Sequence, residues 1–146
     1  MDKKLMESMN KLSQRTDITI PPLSSIDTES EILEYKAGES LKVSFPIKEK
    51  YNNPMNVTLG GYFSVFFDLT YGPFSFMEIQ GPTTSLDLNV SFIKSISPAD
   101  KKIVIEAKIV SKSKTFINFE GKAYKEDGTL LASSTSRMMV IKMKPS

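Results

Sequence analysis

The sequence predicts an α+β fold in which an antiparallel β-sheet curls around one long central helix. Residues 59–71, and the chain beyond them past Pro73, are dense in large apolar side chains, which predicts a helix with a kink at the proline. After Gly81 the apolar residues recur at every second position, the period of β-strands. A similar alternation over residues 40–47 adds one strand before the helix to the four that follow it.

The length of 146 residues is that of one ordinary domain, so we expect a single domain over residues 1–146. Its N-terminal helix and loop take up residues 1–30, and its core takes up residues 31–146. The helix is expected at residues 1–12, because apolar side chains recur there at helical spacing: Leu5, Met9 and Leu12, with Met6 beside them. The polar stretch that follows, residues 13–29, is expected to be a surface loop.

The segment before the central helix contains two short apolar runs. They are separated by residues 36–39, which are expected to form a turn. Only the second run alternates well enough to predict a half-buried strand, with Leu41, Val43 and Phe45 as its apolar residues. Residues 52–58 are rich in turn formers and should form a loop. Thr58 is the expected N-cap of the helix, because its hydroxyl suits the free N–H groups of a first turn.

The central helix has almost no polar face. Its large apolar residues point in nearly every direction around the axis: Tyr62, Phe63, Val65, Phe66, Phe67 and Leu69. Such a helix must be covered nearly all round, and one chain of this length has little material with which to do it. A sheet over one side and a second subunit over the other would suffice, so the pattern predicts a homodimer.

Four antiparallel strands are expected after the helix. The first places Leu86, Leu88, Val90 and Phe92 on one face and Ser85, Asp87, Asn89 and Ser91 on the other. The next two have inward rows formed by Ile103, Ile105, Ala107 and Ile109, and by Ile117, Phe119, Gly121 and Ala123. The last, residues 130–142, follows the Asp127-Gly128 pair, which is the clearest hairpin signal in the chain.

The composition excludes several kinds of active site. The chain contains no Cys and no His, so it has no disulfide, no catalytic thiol, no Ser-His-Asp triad and none of the common zinc sites. We therefore expect no metal and no cofactor. If the protein is an enzyme, its acid–base chemistry must fall on a carboxylate, with Tyr or Lys as weaker candidates.

Charge and hydropathy give further expectations about partners and location. The net charge of +2, from 19 basic and 17 acidic residues, favours neither nucleic acid nor an anionic membrane. The N-terminal stretch mixes charges among its apolar residues and carries no secretory signal, so we expect a cytoplasmic protein. Residues 62–79 are the only membrane candidate, but Asp68 and the Gly72-Pro73 pair make a buried helix the better interpretation.

One stretch combines turn formers, paired glycines and a lone carboxylate. Asn53 lies in the loop, Gly60 and Gly61 follow, and Asp68 is the one formal charge in the apolar run. Paired glycines let the backbone approach a ligand closely, and a helix beginning there offers free N–H groups to an electron-rich atom. A carboxylate on so apolar a helix costs free energy unless it has a partner or a task, so Asp68 is either paired or functional.

The spacing of these residues resembles the hotdog-fold acyl-CoA thioesterases of the 4-hydroxybenzoyl-CoA and phenylacetyl-CoA type. In that family an Asn lies six residues before a His-Gly-Gly, and an acidic residue lies seven residues after the second Gly. Here Asn53, the Leu59-Gly60-Gly61 triplet and Asp68 keep that spacing, but Leu59 replaces the His. Branches of the superfamily that lack this His carry an Asp followed by Tyr-Gly, as Asp68 is followed by Tyr71-Gly72. The resemblance extends over about residues 40–142.

The resemblance implies a hotdog fold and a thioesterase acting on acyl-CoA or a related acyl thioester. Gly60 would donate its N–H to the thioester carbonyl, while Asp68 of the other subunit would activate water or attack the carbonyl itself. Asn53 would position the water or the carbonyl, and Ser85, or its neighbour Thr84, would lie beside them at the start of the following strand. The substrate-binding residues implied are Leu59, Gly61, Thr84, Phe63 and Phe67.

The sequence is compatible with three functions. The first is the thioesterase, as a homodimer or as a homotetramer of two dimers. The second is a hotdog protein that binds acyl ligands without hydrolysing them, which the replacement of the His by Leu59 favours. The third is a structural or interaction domain, which predicts no cavity between the helix and the partner subunit.

Overall fold

Two short helices and a β-hairpin lead to the long helix, and four strands follow it. A computed structural model describes residues 3–15 and 17–142 of the chain, apart from the side chains of Leu5 and Ser8. The elements in chain order are α1 (Lys3–Ser13), α2 (Leu23–Asp27), β1 (Glu31–Lys36), β2 (Ser40–Pro46), α3 (Gly60–Ile79), β3 (Thr83–Phe92), β4 (Lys102–Lys112), β5 (Phe116–Lys125) and β6 (Leu130–Val140).

The six strands form one antiparallel sheet in the order β1-β2-β4-β5-β6-β3, which leaves β1 and β3 at its two edges. Helix α3 packs most extensively on β3, and β1 also reaches the helix, since the Tyr35 hydroxyl donates to Glu78 Oε2 at 2.6 Å. The predicted fold class, an antiparallel sheet around a long helix, is confirmed.

The core lies between α3 and the inner face of the sheet. The predicted inward rows of β4 and β5 are confirmed, because Ile103, Ile105, Ala107, Ile117, Phe119, Gly121 and Ala123 are all buried. The Asp127-Gly128 hairpin is also confirmed. Gly128 has a φ of +90°, a conformation that L side chains rarely adopt, and Asp127 Oδ1 accepts the Thr129 N–H at 2.9 Å.

The sheet has one strand more than the sequence predicts. Strand β1 forms a hairpin with β2, with the predicted turn between them, but five of its six residues are exposed. An exposed edge strand has no buried row to create alternation, and a bulge between Ile32 and Glu34 interrupts its period further. The expected count of one strand before the helix was therefore wrong.

The N-terminal region agrees in part with the sequence. Helix α1 is present, and Met9 packs against the core, whereas the predicted contribution of the Leu5 side chain lies outside the described residues. The predicted loop over residues 13–29 contains the five-residue helix α2. Lys48 and Lys50 hold that helix in place through ion pairs with Glu29 at 2.9 Å and with Asp27 at 3.2 Å.

Helix α3 begins at Gly60 and continues through Pro73 to Ile79. The expectation that Thr58 caps it was wrong, since Leu59 is the N-cap residue and its side chain makes no hydrogen bond to the first turn. Thr58 is buried one residue earlier, where its N–H donates to the Ile96 carbonyl at 2.8 Å. In the described part of the chain, no helix combines the length and apolar character needed to cross a membrane.

Candidate active site

Helix α3 has a buried side and an exposed side. The buried side includes Phe66, Phe67, Tyr71 and Phe74, which are fully enclosed by the sheet and the segments before the helix. The exposed side carries Gly61, Val65 and Asp68 at intervals of four and three residues, which places them on one face. We call these three residues the exposed stripe.

Asp68 has a partner on the neighbouring strand. The Ser85 hydroxyl of β3 donates a hydrogen bond to Asp68 Oδ1 at 3.0 Å. Both side chains are exposed in the single subunit, so the carboxylate has not been taken out of water. The structure thus brings together two of the residues that the sequence singled out, and it leaves their carboxylate accessible to a ligand.

A bulge in β3 turns Ser85 toward the helix. Strict alternation places Ser85 on the face opposite Leu88 and Val90, and that expectation was wrong. The pairing of β3 with β6 slips between Ser85 and Asp87, so Leu86 is an extra residue in the strand. Ser85 therefore lies on the same side as Leu88 and Val90, which pack against the core. Bulges often re-aim a side chain in this way.

Thr84 faces away from the helix. The hydroxyls of Thr83 and Ser85 contact Ser75 and Asp68 of α3, and Thr84 between them must point to the other side of the strand. Of the two hydroxyl residues proposed for this position, Ser85 is the one that touches the carboxylate.

Asn53 shapes the loop before α3. Its Oδ1 accepts hydrogen bonds from the N–H groups of Met55 at 2.9 Å and Val57 at 3.4 Å, and its own N–H donates to the Val57 carbonyl at 2.8 Å. The contacts described for Asn53 are all within this loop. The structure of one subunit does not bring Asn53 together with Asp68.

The glycine pair lies at an open helix N-terminus. A Cβ added to Gly61 would meet nothing within 4 Å, whereas a Cβ added to Gly60 would lie 3.2 Å from the Phe92 ring. The sequence did not connect Gly60 with Phe92, because the two are 32 residues apart and no local pattern relates them. Gly60 and Asp68 are eight residues apart, or about 12 Å along the helix axis, so one thioester carbonyl cannot contact both in a single subunit.

The other four predicted substrate-binding residues fall into two groups. Phe63 and Phe67 belong to the core of the single subunit, where Phe67 stacks on Tyr71 with ring centroids 6.0 Å apart. Leu59 and Gly61 are exposed at the start of α3.

Buried hydroxyls lie on the opposite side of the helix. Burial raises the pKa of Tyr71 to about 12, although the neighbouring Ser134 hydroxyl acts to lower it. The Tyr71 hydroxyl lies over Gly121, where an added Cβ would be only 2.5 Å away. Neither the Tyr71 nor the Ser134 hydroxyl completes a hydrogen bond within the described residues. The absence of a side chain at Gly121 leaves the space that the Tyr71 hydroxyl occupies on β5.

Surface depressions occur away from the helix. The clearest, of about 260 Å³, lies on the outer face of the sheet and is lined by charged and hydroxyl side chains that include Glu106, Lys108, Lys122 and Thr135. None of the candidate site residues on α3 or β3 lines it. Asp68 and Ser85 are both exposed at the surface of the single chain.

Comparison with protein families supports the resemblance. The family model described as the thioesterase superfamily matches residues 55–132, more than half of the chain, including α3, Asp68 and Ser85. No protein with curated function matches the sequence significantly.

Solved structures share the fold at low sequence identity. The E. coli PaaI protein from the phenylacetic acid degradation operon has a TM-score of 0.78 at 10% identity, and the match covers 98% of this chain and 97% of PaaI. The thioesterase HI1161 of Haemophilus influenzae has a TM-score of 0.75 at 14% identity, covering 95% of this chain and 92% of HI1161. S. sahachiroi AziG has a TM-score of 0.77 at 13% identity, covering 85% of this chain and 99% of AziG. The fold is therefore the hotdog fold.

Proposed function

Because this chain belongs to the thioesterase superfamily, we propose that it hydrolyses acyl-CoA or a related acyl thioester, with Asp68 as the group that activates water. The observation that carries the proposal is the Ser85–Asp68 hydrogen bond on the exposed stripe. Packing does not require a carboxylate at this position, and the bulge in β3 aims a hydroxyl at it. An accessible carboxylate with a fixed orientation suits a general base.

The reaction needs a second group to stabilise the developing oxyanion. The N–H of Gly60, at the uncapped N-terminus of α3, suits that role, and one such donor is typically worth about 3 kcal/mol. Asp68 takes a proton from water as the water oxygen attacks the carbonyl carbon. The tetrahedral intermediate then expels the thiolate, which takes the proton held by Asp68, and the carboxylic acid product leaves.

The site is complete only if two subunits share it. The distance between Gly60 and Asp68 within one chain requires that one of them come from a partner, and both the exposed stripe and the open edge of β3 are available for pairing. We propose a homodimer in which Gly60 and Asn53 of one subunit face Asp68 and Ser85 of the other. Asn53 would then hold the loop beside Gly60 and position the water or the carbonyl.

A panel of acyl-CoA substrates assayed for thiol release tests the proposal. The wild-type protein should release free thiol from at least one of them, and Asp68→Asn should lower kcat by a factor of about 10² or more, since it removes the base and keeps the size. Asp17→Asn, which removes another exposed carboxylate, is the matched control and should leave kcat unchanged. Full activity of Asp68→Asn would rule out Asp68 as the base.

A second function is favoured by Leu59. Leu59, at the N-cap position of α3, cannot hydrogen-bond through its side chain. The site therefore lacks one group that polarises the thioester in the family that this chain resembles. A protein that binds acyl thioesters without hydrolysing them would fit this change. It would bind acyl-CoA in calorimetry and release no thiol, with wild-type and Asp68→Asn proteins behaving alike in the assay.

A further inference from the structure

Phe92 is an unusually exposed phenylalanine. Of the nine phenylalanines in the chain it is the most exposed, at 59%. It is nevertheless held in place. Its ring lies 3.2 and 3.3 Å from the position of a Cβ on Gly60, and it meets the Phe63 ring edge to face, with centroids 6.0 Å apart and planes at 77°. One side of the ring is fixed on the first turn of α3, and the other side is open.

The close approach to Gly60 determines what the open side of the ring can contact. If a thioester carbonyl accepts the Gly60 N–H, as the proposed function requires, the carbonyl carbon lies about 4 Å from that nitrogen. The Phe92 ring packs against the same glycine, 3.2 Å from the position of a Cβ there, so it is a neighbour of a group bound at that N–H. Leu59, the residue before Gly60, is 49% exposed and adds a second apolar side chain beside the same backbone group.

We propose that Phe92 is a specificity-determining residue that contacts the acyl group, so that a longer apolar acyl chain is preferred to an acetyl group. This inference rests on the proposed function for the position of the carbonyl. The two substituents of a thioester carbonyl differ strongly in polarity when the thiol is CoA, because the pantetheine arm carries amides and leads to phosphates. Burying an apolar acyl chain against Phe92 and Leu59 makes binding more favourable, whereas placing the polar pantetheine arm there contributes little.

The experiment compares two acyl lengths on matched variants. Hexanoyl-CoA and acetyl-CoA are assayed for thiol release with wild type, Phe92→Ala, Phe92→Leu and the control Phe116→Ala, which removes a partly exposed ring that lies over Arg137. Wild type should prefer hexanoyl-CoA. Phe92→Ala should lower kcat/KM for hexanoyl-CoA by about tenfold, and it should change kcat/KM for acetyl-CoA by less than about twofold. Phe92→Leu should restore most of the loss, and Phe116→Ala should behave as wild type.

A binding measurement keeps the test independent of turnover. The ketone analogues 2-oxoheptyl-CoA and acetonyl-CoA keep the carbonyl but have a methylene between it and the CoA sulfur. They therefore contain no thioester bond and cannot be hydrolysed. In calorimetry, Phe92→Ala should raise the Kd for 2-oxoheptyl-CoA by about tenfold and leave the Kd for acetonyl-CoA unchanged. If wild type releases no thiol yet shows this binding pattern, the hydrolase proposal fails and the role of Phe92 stands.

Three results would overturn the role of Phe92. One is an equal effect of Phe92→Ala on both acyl lengths, and another is no effect on either. The third is a mass measured by light scattering that falls to one chain for Phe92→Ala but not for Phe116→Ala. That last result would assign Phe92 to contact with a second subunit across the β3 edge.

Discussion

Val65 and Phe66 are neighbours on α3, yet their surroundings differ completely. Phe66 is fully buried and packs against Phe45 and Tyr51, with ring centroids 4.8 and 5.8 Å away, whereas Val65 is 37% exposed on the same face as Asp68. The residues on the buried side are explained by packing alone. The carboxylate on the other side is not, which fits the proposal that this side of the helix meets a second subunit and takes part in the chemistry.

Truncating the two neighbours should show the largest difference between the two sides. Phe66→Ala leaves a cavity in the core and should lower the free energy of unfolding by about 3–5 kcal/mol. Val65→Ala removes only two methyl groups from the exposed stripe and should cost about 2 kcal/mol or less, even where a second subunit covers that stripe. Urea unfolding followed by circular dichroism, at one protein concentration for all variants, measures both. Similar losses for the two variants would contradict the division between the sides.

Two glycines provide a second comparison, with a smaller expected effect. Gly121→Ala places a methyl group against the Tyr71 hydroxyl and should cost about 1–3 kcal/mol, and Tyr71→Phe in the same chain should recover part of that cost by removing the hydroxyl. Gly61→Ala points into open space and should be neutral or stabilising, because Ala is the better helix former. A double-mutant cycle by urea unfolding measures the coupling, and strict additivity would show that the hydroxyl is not the obstacle.

Alkaline pH should affect the buried side through Tyr71. The pKa of this residue is about 12 in the folded chain and about 10 when unfolded, so the unfolded chain releases the proton first. Its effect on stability is constant below about pH 10, and stability then falls by up to about 1.4 kcal/mol per pH unit as the pH rises to about 12. Tyr71→Phe should lack this component of the decline. Parallel pH profiles of the two proteins in urea unfolding would show that burial does not control the titration.

The sequence predicted the buried elements of the fold better than the exposed or short ones. Periodicity identified α3 and the inward rows of β4 and β5, because burial imposes a regular pattern on residues such as Ile105 and Phe119. It did not identify β1, whose residues are almost all exposed, nor α2, which is a single turn after Pro22. Both elements are too short or too exposed for packing to mark them in the sequence.

The candidate site was predicted by spacing, but its geometry was not. Alternation placed Ser85 on the wrong face, because the bulge at Leu86 inserts a residue without disturbing the alternation of residue types. The sequence predicts Thr58 as the N-cap, but Leu59 holds that position and the Thr58 hydroxyl is buried in the preceding loop. The contact of Phe92 with Gly60 depends on the path of the whole sheet and has no local signal.

A subunit-exchange experiment tests most directly whether the exposed side of α3 forms half of a shared site. Asp68→Asn and Asn53→Ala are each expected to be inactive, and each removes a residue that the proposed dimer supplies from a different subunit. The two proteins are mixed, exchange is verified by mass spectrometry of differently tagged chains, and thiol release is measured.

Random exchange makes about half of the dimers mixed, and each mixed dimer has one intact site of two. Activity should therefore recover from near zero to about a quarter of wild type. No recovery after verified exchange would contradict the shared site, because Asp68 and Asn53 would then have to act within one subunit.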